Sequence, residues 1–124
     1  MTLVEIAIGG AAGAVARYLV DGWVSQRTGG SFPLGTLVVN LTGTFLLGLL
    51  ATLAIERSLL PAVIRPALVI GFLGAYTTFS TWMLESWRLT EQGAWVAAAV
   101  NVGGSVVLGV VALGAGIALG RALG

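Results

Sequence analysis

The chain has 124 residues, of which only 9% are charged, and a mean hydropathy of +1.00. A soluble domain usually carries about 25% charged residues, so this chain lacks the polar surface that would keep it in water. It contains no histidine and no cysteine, which excludes disulfides, thiol chemistry and the commonest metal ligands. An enzyme is not expected, because without histidine and cysteine the chain has no plausible set of nucleophile and base. A formal charge of +1 gives no basic patch for nucleic acid.

Long uncharged stretches predict membrane-spanning helices. Residues 28–55, 66–84 and 92–120 carry no charge, and each reaches the roughly 18 residues that a spanning helix needs. A weaker stretch from about residue 4 to residue 20 lacks the basic flank of a signal peptide and is interpreted as a further span. We therefore predict an all-α membrane protein, a single four-helix domain over residues 1–124, with helices at about 3–24, 32–55, 62–89 and 93–121.

The ends of these helices are marked by particular residues. Pro33 and Pro61 stand where the second and third helices are predicted to begin, because proline suits a first helical turn. Three arginines fall on the side of the termini and two on the other side. This weak bias fits either a small protein with few charges or dual topology, in which copies insert both ways and pair antiparallel.

Two glycine pairs predict close helix packing. Gly9 with Gly13 and Gly116 with Gly120 have the GxxxG spacing that lets helices approach closely in lipid. We expect tight contacts at these positions, including contacts between subunits.

Single polar residues inside the apolar stretches need partners. Asn40 predicts either a helix–helix hydrogen bond or a donor aimed at a permeating ion. Arg17 lies close enough to a helix end to reach the membrane surface, or to brace a loop carbonyl or carboxylate. The position of Glu85 is as consistent with a salt bridge as with a role in transport. Asn101 and Ser105 are four residues apart and share one face of the last helix.

A cluster of hydroxyls follows Gly71 and Gly74 inside the third apolar stretch. Each hydroxyl could bond back to a carbonyl one turn earlier, but so many together predict a helix interrupted within the membrane. An interruption exposes carbonyls that suit a cation, and donors that suit a strongly hydrated anion; aromatic ring edges add weak positive potential. The residues alone thus indicate a narrow polar pathway, plausible for an anion. The cluster is Thr77, Thr78, Ser80 and Thr81, with Phe79 among them.

Three segments together resemble the Fluc (CrcB) family of fluoride channels. They are GGAAGAVARY at 9–18, GTLVVNLTGTFLLG at 35–48 and GFLGAYTTFST at 71–81, in the order and spacing of that family. The resemblance covers all the predicted helices. It implies an antiparallel, dual-topology dimer with two pores that exports fluoride passively across the cell membrane of a microbe and so relieves fluoride toxicity.

The resemblance also implies roles for individual residues. A structural sodium ion at the dimer interface would be held by the backbone carbonyls of Gly74 and Thr77. Arg17 and Glu85 would be structural or gating residues. The fluoride pore would be lined by Asn40, Phe79, Ser80, Thr81, Trp82, Asn101 and Ser105.

Two of these positions depart from the family pattern. Trp82 stands where the family usually has a second phenylalanine, and Asn101 where it often has a tyrosine. Because tryptophan is larger and carries an N–H donor, it could narrow or reroute the pore. Some organisms divide the pore between two unlike subunits, so an obligate heterodimer with a related subunit is the alternative to a homodimer.

Two other readings belong to different classes. A small multidrug exporter has the same size and topology, but it needs a carboxylate in the middle of helix 1, where this chain has only Glu5 near the start and Arg17 instead. A membrane scaffold built on the glycine contacts would leave the hydroxyl cluster unexplained.

Overall fold

The structure is a computed structural model that describes residues 1–123. Its helices form four segments long and apolar enough to cross a membrane, with the third segment divided into two helices. The last turn of α2, Thr52–Glu56, and the first part of α3, Pro66–Leu73, have wider π-helical hydrogen bonding. The helices are α1 (Thr2–Thr28), α2 (Leu34–Glu56), α3 (66–76), α4 (Ser80–Glu91) and α5 (Trp95–Ala122).

The helix ends follow local chemistry. Gly29, at φ +78°, ends α1 in the left-handed conformation that glycine adopts without strain. Pro33 immediately precedes α2, close to the predicted start. The third helix begins at Pro66, later than the prediction of about residue 62, because Pro61 instead opens a turn closed by a bond from the Ile64 amide to its carbonyl.

Glycines on both partners bring α1 and α3 into backbone contact. A Cβ atom on Gly9 would collide with the Ala67 carbonyl oxygen, and one on Gly13 with that of Phe72. On the facing helix, a Cβ on Gly71 would lie 2.6 Å from the Ile6 carbonyl oxygen. Only glycine permits this separation, because real Cβ atoms do not approach backbone oxygens so closely.

The helices α2 and α5 form a second extensive pair, and glycines hold them together as well. A Cβ on Gly116 would collide with the Phe45 carbonyl oxygen, and one on Gly120 would lie 2.8 Å from Cβ of Thr52. Both GxxxG pairs therefore pack helices within one chain. These contacts within the chain already account for the glycine spacing, and contacts between subunits at the same positions stay a prediction.

The backbone of the third segment leaves helical geometry at residues 77–79, which we call the break. Thr77 is extended, at φ −80° and ψ 155°, and α4 begins at Ser80. The end of α3 is tied to α2 by a 2.9 Å hydrogen bond between the hydroxyls of Tyr76 and Thr42. Gly43 makes room for this contact, since a Cβ there would lie 3.0 Å from the Tyr76 ring.

Much of the outer surface is apolar. Large hydrophobic side chains stand exposed along α1 and α5, as expected where lipid or a second subunit covers them. One polar contact lies at the helix ends, where Arg121 donates two 2.9 Å hydrogen bonds to the Glu56 carboxylate and joins α5 to α2.

Candidate functional site

The break is held open by the side chain of Asn40. Its Nδ2 donates to the Thr78 carbonyl at 3.0 Å, and its Oδ1 accepts from the Thr78 amide at 2.8 Å. One α2 amide thus satisfies both backbone groups of a residue that has no helical partners. We call this pair of bonds the Asn40 clamp. The sequence left two interpretations of Asn40, a helix–helix hydrogen bond or a donor aimed at an ion. The structure has the first kind of bond, and its partner is the non-helical backbone of Thr78.

Two further side chains stabilise the break from either side. Arg17 of α1 donates from Nε to the Ala75 carbonyl at 3.1 Å, so it does brace a carbonyl. The expectation that it lies close to a helix end is wrong, because α1 continues to Thr28 and Ala75 belongs to α3. Thr78 Oγ1 accepts from the Thr81 amide at 3.2 Å, so the hydroxyl caps the first turn of α4. The hydroxyl of Thr77 bonds back one turn within α3, with Oγ1 donating to the Leu73 carbonyl at 2.9 Å.

Three carbonyls at the break, those of Gly74, Tyr76 and Thr77, accept no hydrogen bond among those formed by residues 1–123. In a continuous helix the Gly74 carbonyl would accept from the Thr78 amide, but that amide is engaged by Asn40. The Thr77 carbonyl likewise loses the Thr81 amide to the Thr78 hydroxyl. No atom lies within 4 Å of where a Cβ on Gly74 would stand, so this face of the break is open.

A groove of about 400 Å³ runs beside the break between α2 and α5. Its walls are mostly apolar, with a short row of neutral polar groups and two aromatic rings, and none of its lining residues is charged. Such a surface binds weakly and can release what it binds. The polar and aromatic lining residues are Asn40, Thr44, Thr77, Thr78, Phe79, Trp82 and Ser105.

The two aromatic rings form an edge-to-face pair. The ring centroids of Phe79 and Trp82 are 5.6 Å apart and the ring planes meet at 84°. The Phe79 side chain is 69% exposed, whereas that of Tyr76, one turn earlier, is buried. The indole N–H of Trp82 donates to the Asn101 carbonyl at 3.0 Å and is therefore directed away from the groove.

The structure does not bring every predicted pore residue into the groove. Ser80 is exposed at the start of α4 and is not part of the groove lining. Thr81 lies on the other side of α4, in a small cleft beside Arg17. Asn101 is only 2% exposed and donates to Ser86 Oγ at 2.8 Å, so its side chain is engaged between α4 and α5.

Glu85 lies one turn beyond the aromatic pair, at a separate cavity of about 170 Å³ near the α1–α2 turn. Its Oε1 atom is buried and has no hydrogen-bond partner within the described chain. Arg88 lines the same cavity, but no ion pair joins the two side chains. The salt bridge expected as one alternative for Glu85 is thus not formed with this neighbour.

Sequence reasoning missed three contributors to the site. Thr44 lines the groove one turn after Asn40, and its i, i+4 spacing could have identified it. The backbone of Thr78 and the hydroxyl of Ser86 act through partners 38 and 15 residues distant in sequence, and no local pattern marks those pairings.

Side chains offer little to a metal ion in this protein. Within residues 1–123, no group of three or more acidic, histidine or cysteine residues could hold one. The unpartnered carbonyls of Gly74 and Thr77 are the better donors, since hard monovalent and alkaline-earth cations prefer oxygen ligands.

Comparison with known proteins gives one consistent result. The family model described as "CrcB-like protein, Camphor Resistance (CrcB)" matches residues 4–117. A Geobacter metallireducens protein called "Fluoride-specific ion channel FluC" is 49% identical over 108 residues, covering 87% of each chain. A protein of the same name from Maridesulfovibrio salexigens is 47% identical, over 94% of this chain and 92% of its own. Another, from Syntrophotalea carbinolica, is 47% identical over 99% of this chain and 100% of its own.

Proposed function

The chain belongs to the CrcB family, and from that membership we propose that it forms a passive, fluoride-selective ion channel. It is not an enzyme. We further propose that it exports fluoride across the plasma membrane of a microbe and thereby relieves fluoride toxicity. The exporter and scaffold readings lose their main support, since relatives of nearly the same length are named fluoride channels.

The observation that carries this proposal is the Asn40 clamp beside an uncharged groove. A fluoride ion that leaves water needs hydrogen-bond donors, and a full positive charge would hold it too tightly to conduct. Asn40 uses one Nδ2 hydrogen on Thr78, so its second hydrogen remains available to an anion. Thr44, Ser105 and the Phe79 ring edge extend the row of neutral contacts.

We propose that Ser80, Thr81 and Asn101, which lie outside the groove of the single chain, serve the pore only through a second subunit or through positioning. The interruption falls near the middle of a 26-residue span, which supports its placement within the bilayer. Arg17 and Glu85 are assigned structural or gating roles, Arg17 by bracing the break.

The working unit is proposed to be an antiparallel dimer of this chain with itself. The apolar, exposed faces and the nearly even arginine distribution support pairing in both orientations. The open carbonyls of Gly74 and Thr77 would supply half of the ligands of a structural sodium ion, with the same atoms of a second subunit completing them. When bound, the ion would neutralise the negative ends of these carbonyl dipoles.

Fluoride efflux from liposomes that contain only this chain tests the function. We expect fluoride release without a proton gradient, and no release of chloride from matched vesicles. Release of both ions would contradict selectivity, and release only under a proton gradient would indicate an exporter. Silence that is cured by adding a related subunit would replace the homodimer by the obligate heterodimer.

Sodium removal is expected to destabilise the protein. A ligand that binds only the folded state raises stability as its concentration rises, so the unfolding temperature should increase with sodium concentration. The measurement is thermal unfolding in detergent at constant ionic strength, with sodium replaced by N-methylglucamine. Potassium serves as the control cation. Equal unfolding temperatures in all three salts would show that the carbonyls bind no sodium.

A further inference from the structure

Three hydrogen bonds close a ring between α4 and α5. The Trp82 indole N–H donates to the main-chain carbonyl of Asn101 at 3.0 Å, and Asn101 Nδ2 donates to Ser86 Oγ at 2.8 Å. Ser86 Oγ in turn donates to the Trp82 carbonyl at 2.8 Å. The acceptor of the indole N–H is the main-chain carbonyl of Asn101, and the bond between the Asn101 and Ser86 side chains holds that part of α5 against α4. The two side chains therefore act on the indole through the alignment of the two helices.

The bond between Asn101 and Ser86 is buried, whereas the two bonds to Trp82 are part-buried. Asn101 is 2% exposed and Ser86 is 6% exposed. A buried amide or hydroxyl that loses its bond destabilises the arrangement that leaves it unpaired, so the three groups hold one another in a single geometry. Neither Ser86 nor Asn101 lines the groove, whereas Trp82 does.

We propose that Ser86 and Asn101 are positioning residues that fix the Trp82 ring with its only N–H turned away from the groove. Trp82 then presents C–H atoms to a passing anion in place of a hydrogen-bond donor. A free indole N–H in the path would bind a small anion more strongly than a ring edge does and would slow its release. This inference rests on the proposed channel function for its consequence, though not for its geometry.

The same ring sets how α4 and α5 align. Phe79 lies one turn before Trp82, and Ser105 lies one turn after Asn101, so the Trp82–Asn101 bond brings Phe79 and Ser105 to the same groove. Changing either positioning residue should therefore move the aromatic pair relative to the Ser105 hydroxyl.

Hydrogen exchange at the Trp82 indole tests the geometry without any transport assay. The protein is labelled with ¹⁵N-tryptophan in detergent micelles, and the Trp82 signal is assigned by its loss in Trp82→Phe. We expect slow exchange in the parent and exchange about tenfold faster in Ser86→Ala, because Asn101 then loses its buried partner. Ser86→Thr keeps a hydroxyl and should restore slow exchange.

Thr90→Ala is the matched control. It removes a similar side-chain bond on α4, from Thr90 Oγ1 to the Trp87 carbonyl, one turn further along. This bond lies within α4 and does not join it to α5. The control should leave exchange at Trp82 unchanged. Equally slow exchange in the parent and Ser86→Ala would overturn the proposal, as would equal acceleration in the control.

Flux measurements then test the consequence. We expect Ser86→Ala to lower fluoride efflux several-fold and Ser86→Thr to recover it. The double variant Ser86→Ala with Asn101→Leu leaves no buried polar side chain unpaired, so it should fold. It keeps the main-chain acceptor of the indole but lacks the side-chain bond that aligns α4 with α5, so the indole bond should open more often. Fast indole exchange with parent flux in both Ser86→Ala and the double variant would overturn the positioning role. A parent that conducts no fluoride would overturn the channel function instead, while the exchange result would still decide the geometry.

Discussion

Asn40→Asp is expected to reduce fluoride efflux sharply while replacing only one heavy atom of the side chain. A carboxylate can still accept from the Thr78 amide, but it cannot donate to the Thr78 carbonyl. A carboxylate oxygen would then face the carbonyl oxygen where an N–H donates in the parent, and the two oxygens would repel each other. The new negative charge would also stand in the groove through which fluoride is proposed to pass. We expect flux to fall by about a hundredfold, the equivalent of about 3 kcal/mol.

Efflux of Asn40→Asp is compared with that of Gln26→Glu. Gln26 is exposed near the end of α1, and its substitution makes the same amide-to-carboxylate change far from the break. Asn40→Ala separates the two causes, because it removes the clamp without adding charge and should retain more flux than Asn40→Asp. Parent-like efflux in Asn40→Asp would show that neither the clamp nor the amide hydrogen is needed for conduction.

Gly13→Ala is expected to cause a large loss of stability. Its methyl group would collide with the Phe72 carbonyl oxygen, and backbone cannot move aside as a side chain can. The helices α1 and α3 would have to separate, which would also withdraw Arg17 from the Ala75 carbonyl. Overpacking typically lowers the free energy of unfolding by about 1–3 kcal/mol, and we expect the upper end here because the obstructing atom is backbone.

The measurement is unfolding in detergent, with Gly22→Ala on the same helix as its matched control. No atom lies within 4 Å of a Cβ placed on Gly22, so alanine there should stabilise α1 by about 0.5–1 kcal/mol. Opposite signs for the two substitutions are the expected result. If Gly13→Ala unfolded no more easily than Gly22→Ala, the close approach of α1 and α3 would be wrong.

The existence of the break could be predicted from sequence, but the way it is held could not. Gly71, Gly74 and the hydroxyl cluster indicated non-helical backbone in the third segment, and the helix does end at Tyr76. The clamp depends on a contact across 38 residues, which no local spacing encodes. Asn40 was recognisable as a residue in need of partners, whereas Thr78 was only one hydroxyl among several.

The helix ends and glycine pairs illustrate the same limit. Apolar length located four spans because it reflects the thickness of the bilayer, a property of each segment alone. GxxxG spacing indicated close approach, yet the facing helix is decided by the whole assembly, so contacts within one chain could not be separated from contacts between chains. Asn101 shared a face with Ser105 as predicted, but the register of α4 directs its side chain to Ser86.

The dependence of the break on side chains from α1 and α2 has a consequence for biosynthesis. Arg17 and Asn40 reach the break only after three helices have come together. Before that, unpaired amides and carbonyls in lipid would favour an uninterrupted third helix. The conducting conformation should therefore arise late, after insertion by the translocation machinery, and nascent or orphaned chains should be electrically silent until they have docked.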